Sequence, residues 1–266
     1  MNKTILSILA ILVAAGVLYM TFAKKAEAPQ PDELQSAQAS TTTDMPLQLT
    51  GKDQEIEGDG YTLKVEKKPG VVAPSLTSPV AYTKTLTAEE KKVLEGHIAK
   101  QRDVVSKNLS DVSAWLNLGV LYKMAGDYVA ARDVWAYLNQ VAPQQSLSFH
   151  NLADLYAFYL KDYPKAEKNY LQAIAIDPSR VAEYMALHEL YRDLYPMSAS
   201  AAEDILLKGI SNNPDSIDLI LALARYYAAR AREVDAKNQY ELAIKKAESE
   251  NLPAETIQQI KSEAGL

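Results

Sequence analysis

Three residue types recur along the second half of this 266-residue chain at a single spacing. Tyr122, Tyr156, Tyr191 and Tyr227 stand 34, 35 and 36 residues apart. Ala131, Ala166, Ala202 and Ala236 follow at 35, 36 and 34, and Pro143, Pro178 and Pro214 at 35 and 36. A period of this length marks one supersecondary unit, and a lone unit cannot bury its own apolar face. The chain is therefore expected to stack its units into an all-α solenoid. Within a unit, small residues such as Gly119, Ala131, Ala153 and Ala166 let two helices approach. Tyr122 and Trp135 fill the space between units, and each proline ends a second helix because its ring clashes with the preceding turn.

The units are predicted at about 112–145, 146–180, 181–216 and 217–250. Trp115, Leu118, Gly119, Tyr122, Ala131, Trp135 and Pro143 in the first unit, with the Gly126-Asp127-Tyr128 turn, resemble the tetratricopeptide repeat (TPR). The second unit matches with Leu152, Ala153, Tyr156, Ala166, Tyr170, Ala173 and Pro178, and has one extra turn residue. The third (Tyr184, Leu187, His188, Tyr191, Ala202, Leu206, Gly209, Pro214) has a turn about two residues longer, at Asp193 to Ser200. The fourth (Leu223, Ala224, Tyr227, Ala236, Tyr240, Ala243) lacks the closing proline. Thr87 and Glu90 form a capping box that starts a leading helix to about Lys107. Residues 253–264, with Ile257 and Ile260, are expected to form a C-terminal capping helix, so the repeat domain spans 87–266.

The N-terminal part has a different character. Ile5 to Ala23 is an uncharged apolar run of 19 residues. At ~1.5 Å per residue it spans roughly 28 Å, near the ~30 Å hydrocarbon core of a bilayer. It is read as a transmembrane anchor; the competing reading, a cleaved signal peptide, normally has a shorter apolar stretch. Lys3 on one side and Lys24 and Lys25 on the other nearly balance the positive-inside rule. The signal-anchor order favours a single-pass protein of the cytoplasmic membrane with its body outside the cytoplasm. Residues 24–50, rich in Ala, Pro, Gln, Ser and Thr, read as a flexible tether. In 51–86, Asp59-Gly60 followed by alternating Tyr61, Leu63 and Val65 suggests a strand or small β-hairpin. The prolines at 69, 74 and 79 predict an extended stretch along the helical body.

A net charge of −6 argues against a nucleic-acid partner. The absence of cysteine excludes thiol catalysis and thiolate-held metals. No phosphate loop or calcium loop is present, and no cofactor or resident metal is expected. His150 and Asp154, four apart, share a helical face; they are read as a polar pair on an open groove, with a metal or acid–base pair as the alternative. His188, at a small-residue position, is expected to be packed between helices. Glu183, Glu189 and Asp193 are read as a solvated face. A non-catalytic protein is expected.

The TPR resemblance implies a concave groove lined by the first helix of each unit. Position by position it carries over to Leu116, Asn117, Val120, Lys123 and Met124, then to His150, Asn151, Asp154 and Phe158. Met185, Glu189, Arg192, Leu221 and Arg225 complete the set. The chaperone-adaptor clamp for a peptide carboxylate is not reproduced, because Asn151 matches but Leu116, Val120, Ala182 and Ala186 do not. The resemblance thus implies a membrane-tethered scaffold for a protein or peptide partner. The alternatives are an envelope assembly or chaperone-like factor, of the cytochrome c maturation or translocon-associated type, or a metal-dependent enzyme. The layout is similar to that of anchored bacterial TPR proteins.

Overall fold

The computed structural model describes residues 54–58, 61–65, 70–195 and 200–265. The apolar run 5–23 and the tether 24–50 lie outside the described residues. Among the described residues no helix is long and apolar enough to cross a membrane. Strands β1 (Gln54–Gly58) and β2 (Tyr61–Val65) pair antiparallel, with Gly58 opposite Tyr61. The rest of the described chain is helical apart from its connections.

A leading helix, α1 (Ala88–Lys107), precedes four helical hairpins. These are α2 (Val112–Ala125) with α3 (Tyr128–Val141), and α4 (Ser146–Leu155) with α5 (Tyr163–Ile176). Next come α6 (Val181–Glu189) with α7 (Ala201–Asn212), then α8 (Ile217–Ala229) with α9 (Glu233–Ser249). Helix α10 (Ala254–Glu263) closes the stack. Each helix packs against the next in sequence, and α6 also touches α8. That neighbour-only pattern defines a solenoid. Pro143, Pro178 and Pro214 each stand one residue past the C-caps of α3, α5 and α7 (Ala142, Asp177 and Asn213).

The first hairpin turns tightly. The backbone of Gly126 is left-handed, φ 85°, and Asp127 N–H returns to Tyr122 C=O at 2.9 Å, ending α2. A Cβ at Gly126 would lie 2.3 Å from Thr83 Oγ1, so only glycine fits beneath the residues that cross it. Gly119 faces the other constraint: a Cβ there would lie 2.3 Å from Trp135 Nε1. Trp135 is fully buried, and its indole N–H donates to Leu116 C=O at 3.4 Å.

Residues 71–86 form an irregular strap along this first repeat. Ala73 and Leu76 are buried in its core. Asp127 joins strap to hairpin: one carboxylate oxygen caps α3 at Ala130 N–H (3.0 Å), and the other accepts Ala81 N–H (2.9 Å). Thr83 donates its hydroxyl to Gly126 C=O at 2.7 Å, and Arg102 donates to Ser78 C=O at 2.7 Å.

The longer turns of the second and third repeats begin as single π-turns, Tyr156–Leu160 and Leu190–Leu194. An i→i+5 turn takes up an inserted residue without breaking the helix. In the second repeat Lys161 then adopts a left-handed backbone, φ 56°, and Asp162 caps α5.

The repeat tyrosines fasten one repeat to the one before. Tyr191 OH donates to Glu167 at 2.6 Å, and Tyr227 OH donates to Glu203 at 2.8 Å. Each acceptor directly follows the repeat alanine of the preceding second helix. At the N-terminal end Tyr122 OH instead accepts from Arg102 Nε of α1, at 2.9 Å. The apolar interior forms two clusters that meet at α4, where Leu152 and Leu155 face the first and Ala153 faces the second.

Candidate functional site

The first helix of each hairpin carries the candidate residues. On α2, Asn117, Val120 (37% exposed) and Met124 (47%) face solvent, and Lys123 is half-buried. Leu116 is buried, at 9%. It belongs to the packed side of α2 and offers little to a ligand, which corrects its assignment to the open face. On α4 and its π-turn, His150, Asn151 and Asp154 are half-buried and Phe158 is 39% exposed. Met185 on α6 is half-buried, whereas Glu189 and Arg192 are exposed.

The fourth repeat is different because α10 lies beside it. Leu221 is 8% exposed. Arg225 donates to both oxygens of Glu263 on α10, at 2.6 and 2.9 Å. That pairing raises the pKa of Arg225 and lowers that of Glu263. Both residues line a hollow of about 390 Å³ bounded by α8 and α10, with Asp215, Asp218, Glu250 and Ile260 on its walls. Leu221 and Arg225 are thus engaged by the chain's own last helix, and the open part of the face runs over the first three repeats.

A polar cluster lies in the middle of that face. Tyr170 of α5 donates its hydroxyl to Asp154 at 2.5 Å. Its ring meets His150 edge-on at 6.0 Å. Glu183, at the start of α6, is fully buried, and Arg180 donates to it at 2.7 Å. Its burial corrects the reading of Glu183, Glu189 and Asp193 as one solvated face. At 3.6 residues per turn, Glu183 lies about 240° around the helix from Glu189, on the inward side. Glu189 and Asp193 are exposed, and Asp193 pairs with Arg192 at 2.6 Å, which lowers its pKa.

Two lysines border the cluster. Lys123 has its pKa lowered by burial, opposed by the charge of Asp154, and its ammonium lies 5.7 Å from the centre of the Trp135 ring. The pKa of strap residue Lys84 is lowered by burial and by the charge of Lys123. His188 is packed between helices: Nδ1 bonds Ala202 C=O at 2.8 Å, Tyr226 meets the ring edge-on at 5.3 Å, and burial lowers its pKa. Among the described residues no group of three His, Cys, Asp or Glu side chains could hold a metal ion.

Sequence reasoning reached His150 and Asp154, put Glu183 on a solvated face and Tyr170 at a repeat position, and missed Arg180 and Lys84. The Arg180-x-x-Glu183 spacing allowed an ion pair, yet nothing in it says that the pair turns inward.

Four hairpins at a 34–36 residue spacing, closed on small residues and filled by aromatics, make this a solenoid of tetratricopeptide-repeat type. No family model matches the chain. Protein O-mannosyl-transferase TMTC1 of Homo sapiens is 30% identical over 82 residues, which is 31% of this chain. The match spans only 9% of that protein's length. The crystal structure of MamA overlays with a TM-score of 0.49 at 19% identity, over 63% of this chain and 99% of that one. TTC0263, a TPR protein of Thermus thermophilus, gives 0.46 at 16%, over 65% and 91%. YrrB, described as a TPR protein with an unusual peptide-binding site, gives 0.43 at 12%, over 55% and 74%.

Proposed function

We propose that this chain is a membrane-tethered, non-catalytic scaffold that holds a protein or peptide partner on the first-helix face of repeats one to three. The observation that carries this reading is the surface itself. Val120, Met124 and Phe158 leave large apolar side chains in solvent beside the half-buried Lys123, His150, Asn151 and Asp154. Exposed apolar groups interleaved with polar ones suit an extended or helical peptide, with apolar contacts for affinity and polar contacts for register.

The anchor reading rests on residues 5–23, and the tether of 24–50 would give the body roughly 30 Å of reach, at 5–6 Å × √n. Holding the body near a bilayer raises its effective concentration toward membrane-bound partners. On this reading the protein is single-pass in the cytoplasmic membrane with its body outside the cytoplasm. An assembly or chaperone-like role in the envelope is the more specific version.

Site-directed photo-crosslinking in cells tests the groove. A photoreactive side chain at Phe158 should capture a discrete partner, and the pair Val120→Glu with Met124→Glu should abolish capture. Capture from Leu171, an exposed second-helix residue, with none from Phe158, would place the interface elsewhere. Protease digestion of intact and permeabilised cells carrying a C-terminal tag tests the orientation. A tag that survives until the inner membrane is lysed would mean a cytoplasmic body.

A further inference from the structure

His150 sits between two carboxylates and bonds neither. Its Nε2 lies 3.7 Å from Asp154 Oδ2, one turn along the same helix. Its Nδ1 lies 3.6 Å from Glu183 Oε1, on the first helix of the next repeat. Both distances exceed hydrogen-bond length. Buried Nδ1 of His150 and Oε2 of fully buried Glu183 have no hydrogen-bond partner. Neither carboxylate is free to swing away: Tyr170 holds Asp154 Oδ1 at 2.5 Å, and Arg180 holds Glu183 Oε1 at 2.7 Å.

A neutral imidazole has one N–H and one lone pair. Whichever ring nitrogen carries the proton, the other turns a lone pair toward a carboxylate oxygen. Only the imidazolium offers a donor to each side. Closing either gap by about 0.7–1 Å makes a charge-assisted hydrogen bond, stronger than its neutral counterpart.

We propose that His150 is a proton-binding site that ties the second repeat to the third. Uptake of one proton turns both approaches into bonded ion pairs, α4 to α6 through Glu183 and along α4 through Asp154; loss of the proton releases them. Arg180 stands behind Glu183, Tyr170 faces the site from α5, Lys123 of α2 acts by its charge on Asp154, and Lys84 of the strap acts by its charge on Lys123. Protonation adds one positive charge to the cluster. The proposal stands whether or not the first-helix face binds a peptide.

The test uses the full chain with ¹⁵N-labelled imidazoles, His150 being assigned with His97→Gln and His188→Gln as references. At pH 5.5 both ring nitrogens of His150 should give protonated shifts, and at pH 8.0 only one. A double-mutant cycle of His150→Gln and Glu183→Gln, read from denaturant unfolding, should show coupling of about tenfold in the unfolding equilibrium at pH 5.5. At pH 8.0 that coupling should disappear. Should Glu183→Gln fail to fold, the cycle with Asp154→Asn replaces it, and the imidazole shifts need no variant at the site. A ring neutral throughout, no coupling at either pH, or equal coupling at both overturns the proposal.

Discussion

In the first repeat the two helices meet ring against backbone, Trp135 on Gly119, and the third repeat packs Tyr184 on Gly209 in the same way; the third and fourth repeats are in addition tied to the ones before by hydroxyl-to-carboxylate bonds from Tyr191 and Tyr227. The N-terminal end adds the strap, bonded to Asp127 and threaded over Gly126. One hairpin plan is thus fastened in two ways. Indole burial is apolar and insensitive to pH. A buried phenol donating to a carboxylate is directional and titratable. The ring-on-glycine contacts should therefore answer to changes of volume, and the tyrosine joints between the later repeats to changes of charge.

The largest effect should come from Trp135→Ala. Emptying a fully buried indole site typically costs about 3–5 kcal/mol. Hydrogen exchange should show the loss concentrated in 112–141, with 201–249 still protected, because stacked repeats couple mainly to neighbours. Uniform loss would mean that the two ends fold as one unit. Gly119→Ala follows at about 1–3 kcal/mol, the usual penalty for forcing a methyl group into a filled interior. Denaturant midpoints measure both.

Asp127→Ala removes a helix cap and a strap bond together and should cost about 1–2 kcal/mol. Limited proteolysis gives the sharper readout, since residues 71–86 should become cleavable before the hairpins unfold. If the strap stays resistant, its apolar contacts at Ala73 and Leu76 hold it unaided.

Glu203→Gln probes the other end and should cost about 1 kcal/mol at neutral pH. Burial and the bond to Glu203 push the Tyr227 phenol up to about 12. The unfolded chain loses this proton first, near ~10, so the contribution is intact below that value and is lost as pH rises from there through about 12. Alkaline unfolding followed by phenolate absorbance should start later on the pH scale for Tyr227 than for exposed tyrosines, and Glu203→Gln should narrow the gap. Smallest is the acid effect at His188. Burial lowers its pKa, so the unfolded chain takes up the proton first. Stability should decline as pH falls below about 6.5, and His188→Gln should flatten that slope.

The elements themselves were legible in the sequence. The repeat prolines, the Thr87–Glu90 box and the Gly126-Asp127 turn act through bonds within a few residues, so their effect is readable where they stand. The extra turn residues were legible as insertions, but their form as π-turns was not. The candidate face was legible in part. Carry-over from the TPR resemblance put Val120, Met124 and Phe158 outward, yet the same carry-over put Leu116 and Leu221 there too, and both are buried. Their exposure depends on what packs beside the helix, and for Leu221 that is α10, a later segment of the chain.

The period by itself determined a stack of repeated units, because a lone unit cannot bury its own apolar face, and the TPR resemblance of the repeated residues implied that each unit is a helical hairpin. Only the tertiary structure decided which polar groups meet. Glu167 and Glu203 bond tyrosines 24 residues away, Asp127 receives the strap from Ala81, 46 residues earlier, and Glu183 turns inward toward His150. Each of these pairs depends on the angle at which one unit sits on its neighbour, and that angle emerges only when whole faces pack together.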